Sequence, residues 1–419
     1  MNSIIMNQKF KIRSTLLLFG LGIAMLLLQS CADDPADSIY PPTTPSGAAP
    51  IVTSISVVGG GVGLAGVSTI VIDGNNFSTD TSKILVFFDA VRAKIISASL
   101  IQIMVNAPNF TKDSVKVRVS IQGAEIFSTE KYFDLKPAVA EFGGVKAIEE
   151  AYGIACDKTG NLYAAMASSG IGIGIRKYTP IGDTSTFAPR GGVDIWTGLK
   201  IGPTGILYSC RNQRAMYIVA QGSNPVLFVQ KSGANFYDLD FDKNGNIWTG
   251  GNDSNVYSIA ADKSIKTFFF NTSAKIKTVR IYNDFLYLGG MVDSTSGVWR
   301  APIDGSGNLG AFQKYFDLSA QPGYSFNGPN IFAITFNKDG EMYVGTNGPD
   351  GVLLVKANGS TVEKYYPGLF VKNGEHSSFA WGSGSSLYIS RRDNSVTTKT
   401  ILKVNTSKES APYYGRGDL

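Results

Sequence analysis

Asp242-Lys243-Asn244-Gly245-Asn246-Ile247-Trp248 carries the decision about the fold. An Asp opens a tight turn, a Gly supplies the positive φ of a bulged return, and a branched residue and an aromatic start the next strand. The word recurs. Gly160-Asn161-Leu162-Tyr163, Gly205-Ile206-Leu207-Tyr208, Gly245-Asn246-Ile247-Trp248, Asp284-Phe285-Leu286-Tyr287, Gly340-Glu341-Met342-Tyr343 and Ser385-Ser386-Leu387-Tyr388 are six copies. Their aromatics are spaced 45, 40, 39, 56 and 45 residues apart, the length of a four-stranded propeller blade. An alternating strand precedes each turn, as in Leu239-Asp240-Phe241-Asp242, and a third and fourth follow, as in Val256-Tyr257-Ser258-Ile259 and Thr267-Phe268-Phe269-Phe270. No copy can bury both of its faces alone. The pattern therefore predicts blades stacked in a ring without open edges, each aromatic wedged between neighbours. Six blades are expected, with a seven-bladed ring as the rival.

These words, from about Tyr152 to Tyr414, resemble NHL repeats and the gluconolactonase-like six-bladed propellers. The fourth copy lacks the Gly and the sixth carries Ser-Ser, which leaves the family assignment within that group open. The resemblance implies a propeller over residues 138–419. Its gluconolactonase branch implies a calcium ion in the central channel. Asp240-Phe241-Asp242-Lys243-Asn244-Gly245 does begin like a calcium loop, but its twelfth position is Gly251, which has no ligand to offer. The hairpin reading is preferred. No cofactor is expected, with calcium alone left open. Glu149 and Glu150, before the first blade, read as a solvated approach.

Residues 50–137 read as a separate small sandwich. Ile51 to Val58 and Ser68 to Ile72 alternate, while Ile84 to Phe88, Ile101 to Val105 and Val115 to Ile121 are apolar or β-branched runs broken by turn residues. Pro50-Ile51-Val52-Thr53-Ser54-Ile55 and Ile72-Asp73-Gly74-Asn75-Asn76-Phe77 resemble the IPT/TIG family of immunoglobulin-like domains, with Gly74 as a turn and Phe77 as a core plug. The whole chain is thus expected to be all-β: an N-terminal immunoglobulin-like β-sandwich plus a six-bladed β-propeller.

Residues 1–30 have the form of an export signal. Lys9, Lys11 and Arg13 precede an apolar stretch from Leu16 to Leu28, short for a bilayer span. Leu28-Gln29-Ser30-Cys31 resembles a bacterial lipobox, which implies lipidation of Cys31 and a membrane tether. Asp33, Asp34 and Asp37 follow, and this acidic stretch resembles the surface-export signal of Bacteroidetes lipoproteins. Residues 31–49, rich in Pro, read as a linker. The expected location is the outer membrane, lipid-anchored and facing outward.

Composition removes several functions. Of 38 basic residues, the three in the leader are set aside, leaving 35 against 33 acidic. That near balance, with no basic run, excludes a nucleic-acid footprint. One histidine, His376, argues against histidine-based triads or metal sites, and no strained nucleophile turn is visible. Cys156 and Cys210 fall on strands of different level and read as buried free thiols. Arg416-Gly417-Asp418 reads as a loose chain end. No catalytic set is assigned.

What remains is a binding face. In a propeller, the loops between second and third strands and those between blades gather around the axis. Here they carry Arg211, Asn212 and Arg214, then Asn252 and Asp253, then Asn347 and Asp350, and finally Arg391, Arg392 and Asp393. The connectors between blades add Tyr237, Tyr324, Phe326, Asn330 and, as a minor candidate, His376. Trp196 and Trp381 lie near other blade entrances. Aromatic rings with amides, carboxylates and guanidinium groups suit carbohydrate. The expected activity is non-catalytic binding of a glycan or protein partner, with a calcium-dependent gluconolactonase-like hydrolase or lyase as the alternative.

Overall fold

The computed structural model describes residues 47–192, 195–324, 330–392 and 399–419. Residues 1–30, expected to be a leader, together with Cys31, Phe326 and Asp393, lie outside them. The architecture is all-β. In the first part, one sheet pairs Ile51–Val57, Thr69–Asn75, Gln102–Asn106 and Lys94–Ala98, in that order. The second pairs Val91–Arg92, Ile84–Phe88, Lys112–Ile121 and Lys131–Leu135. Alternate residues of both sheets, Ile70, Ile72, Val86, Phe88, Val117 and Val119 among them, meet in one core. Phe77 does plug that core. Gly74 is not in a turn, however. It sits in a strand opposite Val52, where a Cβ would lie 1.9 Å from the Ile51 carbonyl oxygen.

Six four-stranded antiparallel sheets follow. Their inner strands are Glu149–Cys156, Gly198–Ile201, Asp238–Phe241, Lys275–Tyr282, Ile331–Phe336 and Glu375–Trp381. Each lies against the next, and the sixth lies against the first, so the ring closes with six blades. Closure uses a strand from the other end of the propeller: Val139–Phe142 pairs with Thr400–Asn405 and completes the sixth blade.

The repeated word occupies one structural position throughout. The six aromatics Tyr163, Tyr208, Trp248, Tyr287, Tyr343 and Tyr388 stand opposite Ala155, Lys200, Asp240, Arg280, Thr335 and Ala380, one inner-strand residue per blade. The turns explain the word. Asp242 Oδ1 accepts the amides of Asn244 and Asn246, both at 2.9 Å, while Oδ2 accepts the Trp248 indole N–H at 2.9 Å. Asp157 repeats the arrangement with Thr159, Asn161 and the Tyr163 hydroxyl, and Asn337 does so with Asp339 and Glu341. Gly160, Gly245 and Gly340 all hold φ near +80° (82°, 81° and 81°). One residue thus caps the turn and anchors the aromatic.

Polar clips join neighbouring blades near the axis. Asp238 accepts the Val279 amide at 3.0 Å, Thr278 Oγ1 accepts that of Ile334 at 3.3 Å, and Ser378 Oγ accepts that of Ile154 at 3.3 Å. Elsewhere in this ring stands Gly153, where a Cβ would lie 2.9 Å from the Gly198 backbone. Blades therefore meet either through a side-chain acceptor or by direct backbone approach.

Candidate ligand-binding face

The antiparallel order puts the beginnings of the inner strands, the second-to-third-strand loops and the blade connectors on one face, here the upper. The hairpin turns form the lower face. At the upper end of the channel one residue per blade is equivalent: Tyr152, Thr197, Tyr237, Lys277, Phe332 and Ser377. Each lies eleven residues before its blade's aromatic, or ten in the fourth blade, whose turn is shorter.

Charge and aromatic surface converge there. The Arg392 guanidinium lies 4.2 Å over the Tyr152 ring, bonds the Ser377 hydroxyl at 3.1 Å and pairs with Glu375 at 3.1 Å. Lys277 Nζ lies 4.4 Å over the Tyr237 ring. Burial, and after it the nearby Arg392 charge, hold the Lys277 ammonium below its usual range. Burial raises the Tyr237 phenol. Lys399 pairs with Glu150 beside them. Residues from the first, third, fourth and sixth blades thus meet at one mouth.

A rim of amides adjoins it. Asn235 Nδ2 donates to the Asn212 carbonyl at 3.0 Å, and the Asn252 amide donates to Asn235 Oδ1 at 3.1 Å. Asp253 organises this loop: it accepts the amides of Asn235 and Asn255 and the Tyr257 hydroxyl. Asn212 and Asn252 are exposed, as is Arg214, while Arg211 is half-buried. A second group sits by the fifth blade. Asn347 Oδ1 accepts the Asn330 amide at 2.7 Å, Asp350 pairs with Lys364 at 2.9 Å, and the Tyr324 ring lies against Gly348.

Several expectations are corrected. His376 is not a loop residue. It lies in the inner strand of blade six, fully buried, with Nδ1 3.1 Å from the Thr346 carbonyl oxygen and its ring edge-on to Phe370. Burial pushes its pKa down to about 4, so it is neutral at pH 7 and closed to ligand. Arg391 is buried and reaches Glu141 of the closing strand at 3.4 Å, a structural post and not part of the mouth. Trp196 and Trp381 are core. Glu149 is buried in a two-pronged pair with Arg176, both contacts at 2.9 Å, and is no solvated approach. Cys156 and Cys210 are free and buried, as expected. Arg416 is tied to Ser410 and Asp418 at 2.9 Å each, whereas Gly417, Asp418 and Leu419 are exposed.

Sequence reasoning reached Tyr237, Arg392, Asn212 and Asn252 but missed Tyr152, Lys277, Glu375 and Asn235. Counting back from each aromatic would have found Tyr152 and Lys277, which share Tyr237's register. No local signal marks Glu375, whose partner lies 17 residues away across a hairpin.

Residues 50–134 match the IPT/TIG domain family model. No curated protein matches the chain. Among solved structures, an auxiliary nutrient binding protein from Bacteroides thetaiotaomicron is 13% identical, covering 86% of this chain and 98% of its own, with a TM-score of 0.52. A protein from the same organism, proposed to be a phosphatase, is 12% identical over 88% of this chain and 99% of its own, with a TM-score of 0.57. A protein proposed to be a gluconolactonase is 13% identical over 66% and 94%, with a TM-score of 0.50. At these identities the likeness is one of fold, and that fold is shared by proteins named for binding and for catalysis.

Proposed function

We propose that this chain is a lipid-anchored surface protein whose propeller binds a glycan at the upper mouth, carboxylate-bearing sugars in preference to neutral ones. One observation carries the reading. Tyr152 and Tyr237, each faced by a cation, meet at the axis beside the exposed amides of Asn212 and Asn252. Rings suit the apolar faces of sugars, amides bond hydroxyls, and Lys277 offers its charge to a carboxylate. The sandwich would act as spacer and Cys31 as tether. The fold shared with a nutrient binding protein of Bacteroides thetaiotaomicron is consistent with this. The test is calorimetric titration with a uronic-acid oligosaccharide and its neutral counterpart. The expected result is saturable binding, at least tenfold weaker for the neutral sugar. Absence of binding by both would refute it. Loss of labelled-lipid incorporation in a Cys31→Ser variant checks the tether.

The second reading is a hydrolase or lyase, favoured by the fold shared with a protein proposed to be a gluconolactonase. Calcium does not fit this channel. Its inner strands carry Glu149, Glu150, Asp238, Asp240 and Glu375; the three glutamates are paired with Arg176, Lys399 and Arg392, and Lys200 and Arg280 stand beside the two aspartates. Asp238 is already committed to Arg280 at 2.7 Å and to the Val279 amide. Among the described residues no three His, Cys, Asp or Glu side chains group as ligands. Chelator-sensitive lactone hydrolysis by the purified protein would overturn that judgement.

A further inference from the structure

The lower face holds a second pocket, unrelated to the upper mouth. Its volume is about 230 Å³. Lys200 and Asp240 form its floor, and Phe241, Tyr282, Tyr413 and Tyr414 form its walls. Behind the floor lies a smaller chamber of about 40 Å³, which Lys200 and Asp240 share with Arg280. The C-terminal segment builds one wall and is firmly held. The Ala411 amide donates to the Phe336 carbonyl at 3.1 Å, the Tyr413 hydroxyl donates to the Trp381 carbonyl, and the Tyr414 hydroxyl reaches the carbonyls of Asp242 and Lys243 at 3.2 and 3.1 Å.

The floor is polar and incompletely satisfied. Asp240 uses Oδ2 to accept the Ile281 amide at 2.9 Å, which leaves Oδ1 to a ligand. Arg280 is buried, and its Nε has no partner among the described residues. Among the described residues Lys200 meets its neighbours through charge, from Arg280, Asp240, Asp238 and Cys156. Lys243 and Asp284 at the pocket's edge pair with each other at 2.8 Å; with them, three cations (Lys200, Lys243, Arg280) balance three carboxylates (Asp238, Asp240, Asp284), so neither a bare anion nor a bare cation is favoured. A molecule carrying both charges is.

We propose that this pocket binds a free α-amino acid with an apolar side chain, its carboxylate on the Lys200 ammonium, its ammonium on Asp240 and its side chain among the four rings. The size agrees: a cavity of about 230 Å³ has room for the side chain of leucine or phenylalanine with its charged head. Burial, and then the Arg280 charge, lower Lys200 to about 8. A bound carboxylate would raise it again, so affinity should fall as the pH passes 8.

The probes are L-phenylalanine, phenylalaninamide and N-acetylphenylalanine, titrated into the wild-type protein by calorimetry. The amide lacks the carboxylate and the acetyl compound lacks the ammonium. Saturable binding of phenylalanine, weakened at least tenfold by either change, is the expected result. Lys200→Met should bind phenylalanine and its amide equally. No saturable binding of phenylalanine, or equal binding of all three compounds by wild type, overturns the proposal, and neither outcome depends on the variant folding. Tyr237→Ala on the opposite face should leave this binding unchanged, which separates the two sites.

Discussion

Replacing Asp242 by Ala should unfold the third blade's hairpin at a cost that can be worked out from its contacts. The side chain is buried and accepts four hydrogen bonds: two amides, the Asn246 side chain at 3.0 Å and the Trp248 indole. Bonds to a charged acceptor contribute about 1.5–3 kcal/mol each when exposure compensates little, but their net effects overlap. The largest single part is the Trp248 N–H, which has no exposure through which water could replace the lost acceptor. A loss of about 3–5 kcal/mol is expected for Asp242→Ala. Asp242→Asn keeps an oxygen for the two amides, as Asn337 does in blade five, but turns a donor toward the indole, so about 1–2 kcal/mol is expected. Urea denaturation followed by Trp fluorescence measures both. If Ala costs under 1 kcal/mol, or Asn costs as much as Ala, the shared anchoring of turn and aromatic is wrong.

Three other outcomes follow from the same physics. Lys200 has a folded pKa of about 8 against its ordinary 10.5, so holding its proton costs stability in full below pH 8 and nothing above about 10.5; Lys200→Met should stabilise the protein by about 3 kcal/mol at pH 7, a gain that shrinks between pH 8 and 10.5 in denaturation curves. Burial raises both thiols above their usual range, so Cys156 and Cys210 should resist a thiol reagent in the native protein and react when it is unfolded. Phe142 of the closing strand lies 4.8 Å from the Tyr388 ring and 6.0 Å from that of Tyr178; Phe142→Ala should cost about 3–5 kcal/mol, and a loss below 1 kcal/mol would show that this strand does not close the ring.

The blades were legible because each repeats one local solution. Even the fourth copy, without Gly, makes its turn: Asn283 and Asp284 adopt φ of 47° and 58°, which Asn and Asp tolerate. The closing strand was hidden. Val139–Phe142 is four residues long and matches no repeat, and its partner lies some 260 positions away, a distance no local pattern encodes. His376 and Glu149 were misread for a related reason. Gly374 and the serines after His376 look like a loop, and paired glutamates look solvated, because the Thr346 carbonyl and Arg176 that satisfy them come from other strands. The mouth was half legible: polar loop residues announce themselves, whereas Tyr152 and Lys277 sit on strands and join the site only through the ring's symmetry.

The glycan site is tested by the affinity of Tyr237→Ala and Lys277→Met for a uronic-acid oligosaccharide, measured beside wild type at low and high salt. Loss of at least tenfold in the first, and loss of both the acid preference and the salt dependence in the second, are predicted. Wild-type affinity in both variants, with unchanged circular dichroism, would place the glycan away from Tyr237 and Lys277.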